Sequence, residues 1–246
     1  MPDGPDLHGH TALVTGGGRR LGRAFVEALA VHGADVAIHY GGSAQGAEDT
    51  LRAIQASGRR GVTLQADLAD PAQAAGLLDR AVEALGAIDL LVNNAAIFEP
   101  LEMAETTLAA WERHLAVNLT APFLLSQAFA RRRAGRPGAV VNLLDWRALR
   151  PGADHFPYTV AKAGLAAMTR SLALALAPAI RVNGLALGAI LPPSDAAEPA
   201  AEPPPEAPIP RWATLEETTA ALLFLLAGPD FMTGEILHLD GGRHLA

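Results

Sequence analysis

The sequence contains no cysteine, which excludes disulfides, thiol nucleophiles and cysteine-ligated metals. It contains one lysine, Lys162, against 18 arginines. A general preference for arginine explains the eighteen but not the exception. Aromatic residues make up 5% of the chain, and only two are tyrosines, Tyr40 and Tyr158. No apolar run approaches the roughly 18 to 20 residues that span a bilayer. The opening stretch MPDGPDLHGH has neither the basic nor the apolar region of a secretory signal. A net charge of −7 disfavours nucleic acid as a partner. The eight histidines are scattered without ligand-like spacing, so no metal is expected. A soluble cytoplasmic protein acting on a small molecule is the expectation.

What is present is regular. The 246 residues suffice for one large domain with a sizeable core. Short apolar runs alternate with longer amphipathic ones, the pattern of βαβ units and a parallel sheet. Strands are expected at 11–15, 35–40, 62–65, 88–93, 139–144, 180–187 and 236–239. Helices are expected at 21–32, 44–57, 107–133 and 158–177. Asp70 before Pro71 reads as the cap of a third helix, and Thr214 with Glu217 as the capping box of the last. The expected fold is α/β, a single-domain Rossmann-type, doubly wound parallel β-sheet with helices on both faces. Residues 190–211, rich in Pro, Ala and Glu, read as a flexible substrate loop.

The stretch TGGGRRLG, residues 15–22, follows the first strand and opens a helix. In that context it is a candidate phosphate-binding loop, because helix N-terminal N–H groups and the helix dipole favour an anion. Gly16 would let the chain turn, and Gly22 would let helix and cofactor approach closely. Further on, Tyr158 and Lys162 stand four apart in YTVAK, on one helix face, about 5–6 Å between Cβ atoms. An ammonium beside a phenol stabilises the phenolate and lowers the tyrosine pKa, which makes the pair a candidate general acid.

Thr15, Gly16 and Gly22 in the spacing T-G-x-x-x-G-x-G, together with Tyr158 and Lys162, resemble the short-chain dehydrogenase/reductase family. The resemblance extends along nearly the whole chain. It implies a cofactor site made by the loop with Arg19, Arg20 and Leu21, by Asp67 and Leu68 near the adenine, and by Tyr158 and Lys162. NNAA, with Asn94 and Ala95, would support the sheet and the cofactor pocket. Asn118 would help to hold the lysine and a water, as a member of the catalytic set. RVNGLALG, ending at Gly188, would lie beside the nicotinamide, with Leu187 where proline is usual. A dimer or tetramer through 107–133 and 158–177 is implied as well. After the second strand, HYGGS offers no carboxylate for a ribose hydroxyl. Arg19, His39 and Ser43 are instead candidate donors to a 2′-phosphate, so NADPH/NADP+ is the expected cofactor.

The family places a serine 13 residues before the tyrosine; here that position is Asp145. A hydroxyl can donate to a ketone oxygen, whereas an aspartate can only accept. Asp145 therefore suits a substrate with N–H donors. A subgroup, the pteridine reductases with the dihydromonapterin reductases among their relatives, resembles this chain in Arg20, in HYGGS, in the Asp–Tyr–Lys spacing and in the ending LDGGRHL. It implies that Phe98 stacks on the pterin and that Arg20 faces both pyrophosphate and pterin. Ala96 stands where the subgroup often has serine. The expected reaction is hydride transfer from NADPH to a C=N bond of a dihydropterin, dihydromonapterin or dihydrofolate. Arg20, Phe98, Asp145 and Tyr158 would contact the substrate. Two alternatives stay open: an NADPH-dependent carbonyl reductase of the 3-oxoacyl or sugar/polyol type, and a non-catalytic NADP(H)-binding regulator.

Overall fold

In the computed structural model, which describes residues 4–191 and 207–246, the apolar runs become seven parallel strands of one sheet. They are β1 Thr11–Val14, β2 Asp35–Tyr40, β3 Gly61–Gln65, β4 Leu90–Asn93, β5 Gly138–Asp145, β6 Ile180–Leu187 and β7 Ile236–Leu239. Their spatial order is β3-β2-β1-β4-β5-β6-β7. The helices are α1 Arg20–Val31, α2 Ala44–Ala56, α3 Pro71–Leu85, α4 Leu108–Leu115, α5 Ala121–Arg133, α6 Phe156–Leu176 and α7 Leu215–Ala227. The segment expected as a flexible substrate loop lies mostly outside the described residues, between 191 and 207.

Why the strands read as unbroken apolar runs is plain from their sides. Ala12 and Val14 of β1 face the layer of α1, α2 and α7, packing with Phe25, Ile54 and Leu222. Leu13, between them, faces α3 and α5 with Leu77 and Phe129. Both faces are covered, as parallel sheets require. Phe25 and Phe129 are fully buried, and truncating either to alanine would cost about 3–5 kcal/mol.

Capping follows the sequence. Asp70 accepts from the backbone N–H groups of Ala72 and Gln73 at the start of α3, with Pro71 at the first position. Thr214 and Glu217 form a reciprocal capping box on α7. One expectation is corrected. The helix expected at 107–133 is two helices, α4 and α5, joined by a π-helical turn at Ala116–Thr120. Pro122 has no N–H to give to the carbonyl of Asn118, four residues back, so the α-helical ladder opens there.

The chain leaves β1 toward β2 and β3, then crosses back to β4 on the other side. A crevice therefore opens where the carboxyl ends of β1 and β4 diverge. Among the described residues no helix is long and apolar enough to cross a membrane.

Candidate active site

A cleft of about 1310 Å³ occupies that switch point. Its floor is the β1–α1 loop with Gly16, Arg19, Arg20, Leu21 and Gly22. One end is lined by His39, Ser43, Asp67 and Leu68, the side after β2 and β3. The wall after β4 carries Asn94, Ala95 and Phe98, and the far wall carries Asp145, Tyr158 and Gly188. Thr15, Asn118 and Lys162 lie behind this surface, each almost completely buried.

The loop is built by close approach. A Cβ at Gly22 would overlap the carbonyl oxygen of Gly16, so helix α1 can start against the turn only with glycine there. Gly16 itself has φ +66°. Arg20, which replaces the middle glycine of the family spacing, still has φ +51°, in the left-handed region. Helix α1 has no side-chain cap at Arg19 and no acidic residue in its first turn. The N-terminus of α1 opens on the cleft, where a helix start favours an anion, and Arg19, Arg20 and the hydroxyl of Ser43, which caps no helix, line the same cleft. This donor set fits the phosphates of a dinucleotide.

Three expected cofactor ligands have side chains that hold the loop. The Thr15 hydroxyl donates to Val92 O at 3.3 Å and accepts from the N–H groups of Asn94 and Ala95 at 2.9 and 3.0 Å. Its bonding capacity is filled. Asn94 Nδ2 donates to Thr15 O at 2.7 Å, tying β4 to the loop. His39 accepts from Gly16 N–H at Nδ1, so Nε2 carries the proton and donates to Ala66 O, each at 3.1 Å. Burial pushes its pKa down to about 4. A neutral ring with both nitrogens engaged cannot donate to a 2′-phosphate, which corrects the expectation for His39.

On the far wall, Tyr158 Oη donates to Asp145 Oδ2 at 3.2 Å. Asp145 Oδ1 accepts from Arg147 N–H at 2.9 Å. Burial, the Asp145 charge and the hydrogen bond to it raise the Tyr158 pKa well above its usual value, with Arg147 opposing. Asp145 thus acts against the lowering expected from Lys162, as a carboxylate beside a phenol does. Lys162 Nζ donates to Leu143 O at 2.6 Å and lies 5.7 Å from the Tyr158 ring centre. Burial brings its pKa down to about 8, with Asp145 opposing.

The Asn118 side-chain amide exchanges two 3.0 Å bonds with the backbone of Ile97. Asn118 thus fixes the segment that carries Phe98, from within the π-helical turn. Phe98 is 44% exposed, stacked on His155 at 3.9 Å and set edgewise to Tyr158 at 4.7 Å.

Sequence reasoning missed Arg147 and His155, both in the cleft wall. Arg147 holds the Asp154 carboxyl down at about 2, chiefly by its hydrogen bond. Its only sequence signal was its place two residues after Asp145, hidden among eighteen arginines. Arg243 from the C-terminal turn lines the same cleft, 4.3 Å from the Trp146 ring centre.

A family profile described as Enoyl-(Acyl carrier protein) reductase matches residues 17–244. The cis-4-hydroxycyclohexanecarboxylate dehydrogenase of Sinomonas cyclohexanicum is 38% identical over 238 residues, covering 94% of this chain and 95% of that one. FolM alternative dihydrofolate reductase 1 from Brucella canis, solved with NADP, superposes with TM-score 0.88 at 36% identity, covering 98% of this chain and 96% of that one. A short-chain dehydrogenase from Burkholderia cenocepacia, also solved with NADP, gives TM-score 0.90 at 37% identity over 96% and 98% of the two chains. With the glycine loop, the tyrosine–lysine pair and the parallel sheet in these positions, the chain belongs to the short-chain dehydrogenase/reductase family and is an NAD(P)-dependent oxidoreductase.

Proposed function

We propose that the protein uses NADPH to reduce a C=N bond of a pterin-like substrate, a dihydropterin, dihydromonapterin or dihydrofolate, with Tyr158 as proton donor. The observation that carries this is the 3.2 Å hydrogen bond from Tyr158 to Asp145. A carboxylate stands where a carbonyl reductase of this family presents a hydroxyl. It would repel a ketone oxygen, yet it has lone pairs left for the N–H groups of an aminopyrimidine ring.

The residues divide the work. Arg19 and Ser43 are the donors that favour a 2′-phosphate, with no carboxylate after β2 to oppose them. When bound, the nicotinamide supplies the hydride. Phe98 offers a half-exposed ring for a planar substrate to stack on. Tyr158, held protonated by burial and by Asp145, gives its proton to the nitrogen that becomes basic as the C=N bond is reduced. The Arg147 charge then favours the phenolate that is left, and the Lys162 ammonium lies 5.7 Å from its ring centre. The Brucella canis neighbour is named a dihydrofolate reductase, which supports the reading. The Sinomonas relative, named a hydroxycyclohexanecarboxylate dehydrogenase, supports the carbonyl alternative.

The test is NADPH oxidation with a panel of dihydropterins, dihydrofolate and simple ketones. Turnover of a dihydropterin or dihydrofolate, with ketones slow, is expected. Turnover of ketones without turnover or binding of any pterin would overturn the proposal.

A further inference from the structure

Arg147 sits between the two halves of the site. It follows the end of β5 by two residues, and its side chain is 13% exposed. On the proton-donor side, its backbone N–H reaches Asp145 Oδ1 at 2.9 Å and its Nη1 lies 3.6 Å from the same oxygen. The other carboxylate oxygen accepts from Tyr158. On the aromatic side, Nη2 and Nε donate to the two oxygens of Asp154 at 2.6 and 3.4 Å. Asp154 Oδ2 lies 3.0 Å from Nδ1 of His155, whose ring lies flat on Phe98, 10° from parallel. The guanidinium carbon is 4.7 Å from the Trp146 ring centre and 5.8 Å from that of Phe98.

His155 holds this stack from a left-handed backbone, φ +51°, that a non-glycine residue adopts only with strain. Such a conformation persists where the surroundings over-determine it, and the Asp154 contact, itself fixed by Arg147, is part of those surroundings. One planar fork can meet two carboxylates and lie against two rings at once. A lysine ammonium is a point charge and cannot.

We propose that Arg147 is a positioning residue that holds the proton donor and the aromatic platform in register, through Asp145 on one side and through Asp154 and His155 on the other. It rests on the reading of Tyr158 as proton donor and not on the pterin. It acts through its neighbours, so the two sides carry different kinetic signatures. Loosening Asp154 disturbs the platform and shows mainly in KM. Removing Arg147 disturbs both sides and shows in KM and kcat together.

The experiment compares Arg147→Met, Arg147→Lys, Asp154→Asn and the double variant Arg147→Met/Asp154→Asn in steady-state kinetics. It is read on whichever substrate the wild-type protein reduces, so failure of the pterin reading leaves it intact. Arg147→Met is expected to lower kcat/KM roughly 100-fold, the scale of a misplacement of about 1 Å. Arg147→Lys should recover part of kcat and little of KM. Asp154→Asn should raise KM roughly 10-fold with a smaller effect on kcat, and should add nothing to Arg147→Met. Wild-type kcat/KM in Arg147→Met, or an Asp154 effect undiminished in the double variant, would overturn the proposal. If Arg147→Met does not fold, wild-type kinetics in both Arg147→Lys and Asp154→Asn overturn it equally.

Discussion

Arg20 shows how a single side chain can carry a cost for the sake of a site. It stands in the cleft floor in a backbone conformation that glycine tolerates and other residues resist. Two variants separate the strain from the charge. Arg20→Ala removes the charge and keeps the strain, whereas Arg20→Gly removes both. Arg20→Gly should be more stable than Arg20→Ala by about 1 kcal/mol in cofactor-free protein. That difference corresponds to about 2–4 °C in Tm for a chain of this size. Both should lose affinity for NADPH. Equal Tm values in the two variants would mean that the left-handed backbone at position 20 stores nothing. The sequence exposed Arg20 because it breaks a known spacing. It concealed Arg147, which breaks none, and it left the partners of His39 undetermined because a histidine can donate from either nitrogen.

At the scale of elements, His39 joins three of them: it lies on β2, accepts from the loop after β1 and donates to the residue after β3. Its pKa falls from 6.5 to about 4 on burial. Between those values the unfolded chain binds a proton that the folded chain refuses. Stability is therefore full above about pH 6.5 and declines as the pH falls toward 4, by about 3 kcal/mol from this group. Urea unfolding across that range should show the decline, and His39→Gln should flatten it while lowering stability at neutral pH. An unchanged acid profile in the variant would contradict the buried, neutral ring. Strands and caps were legible in the sequence, since short unbroken apolar runs and the Asp70 and Thr214 caps are local properties. The break between α4 and α5 was not. Proline in the first turn is ordinary for a helix, so Pro122 within one long periodic run does not by itself mark a new start.

Over the whole molecule, strand order decides where chemistry can occur. The crossing from β3 to β4 opens one cleft, and the glycine loop, the segment after β4 and the end of β5 all deliver side chains to it. Membership of the family supplies the oxidoreductase chemistry, and the choice of substrate is left to the cleft walls. In the proposed reaction the choice lies with Asp145, which accepts where a serine would donate. The most direct measurement is the ratio of kcat/KM for a dihydropterin to that for a ketone, in wild type and in Asp145→Ser, with NADPH as reductant. A hydrogen bond to a charged group corresponds to roughly 10- to 100-fold in rate. The ratio is expected to fall by at least that much in Asp145→Ser, through slower pterin reduction and faster ketone reduction. A ratio that stays the same or rises would contradict it.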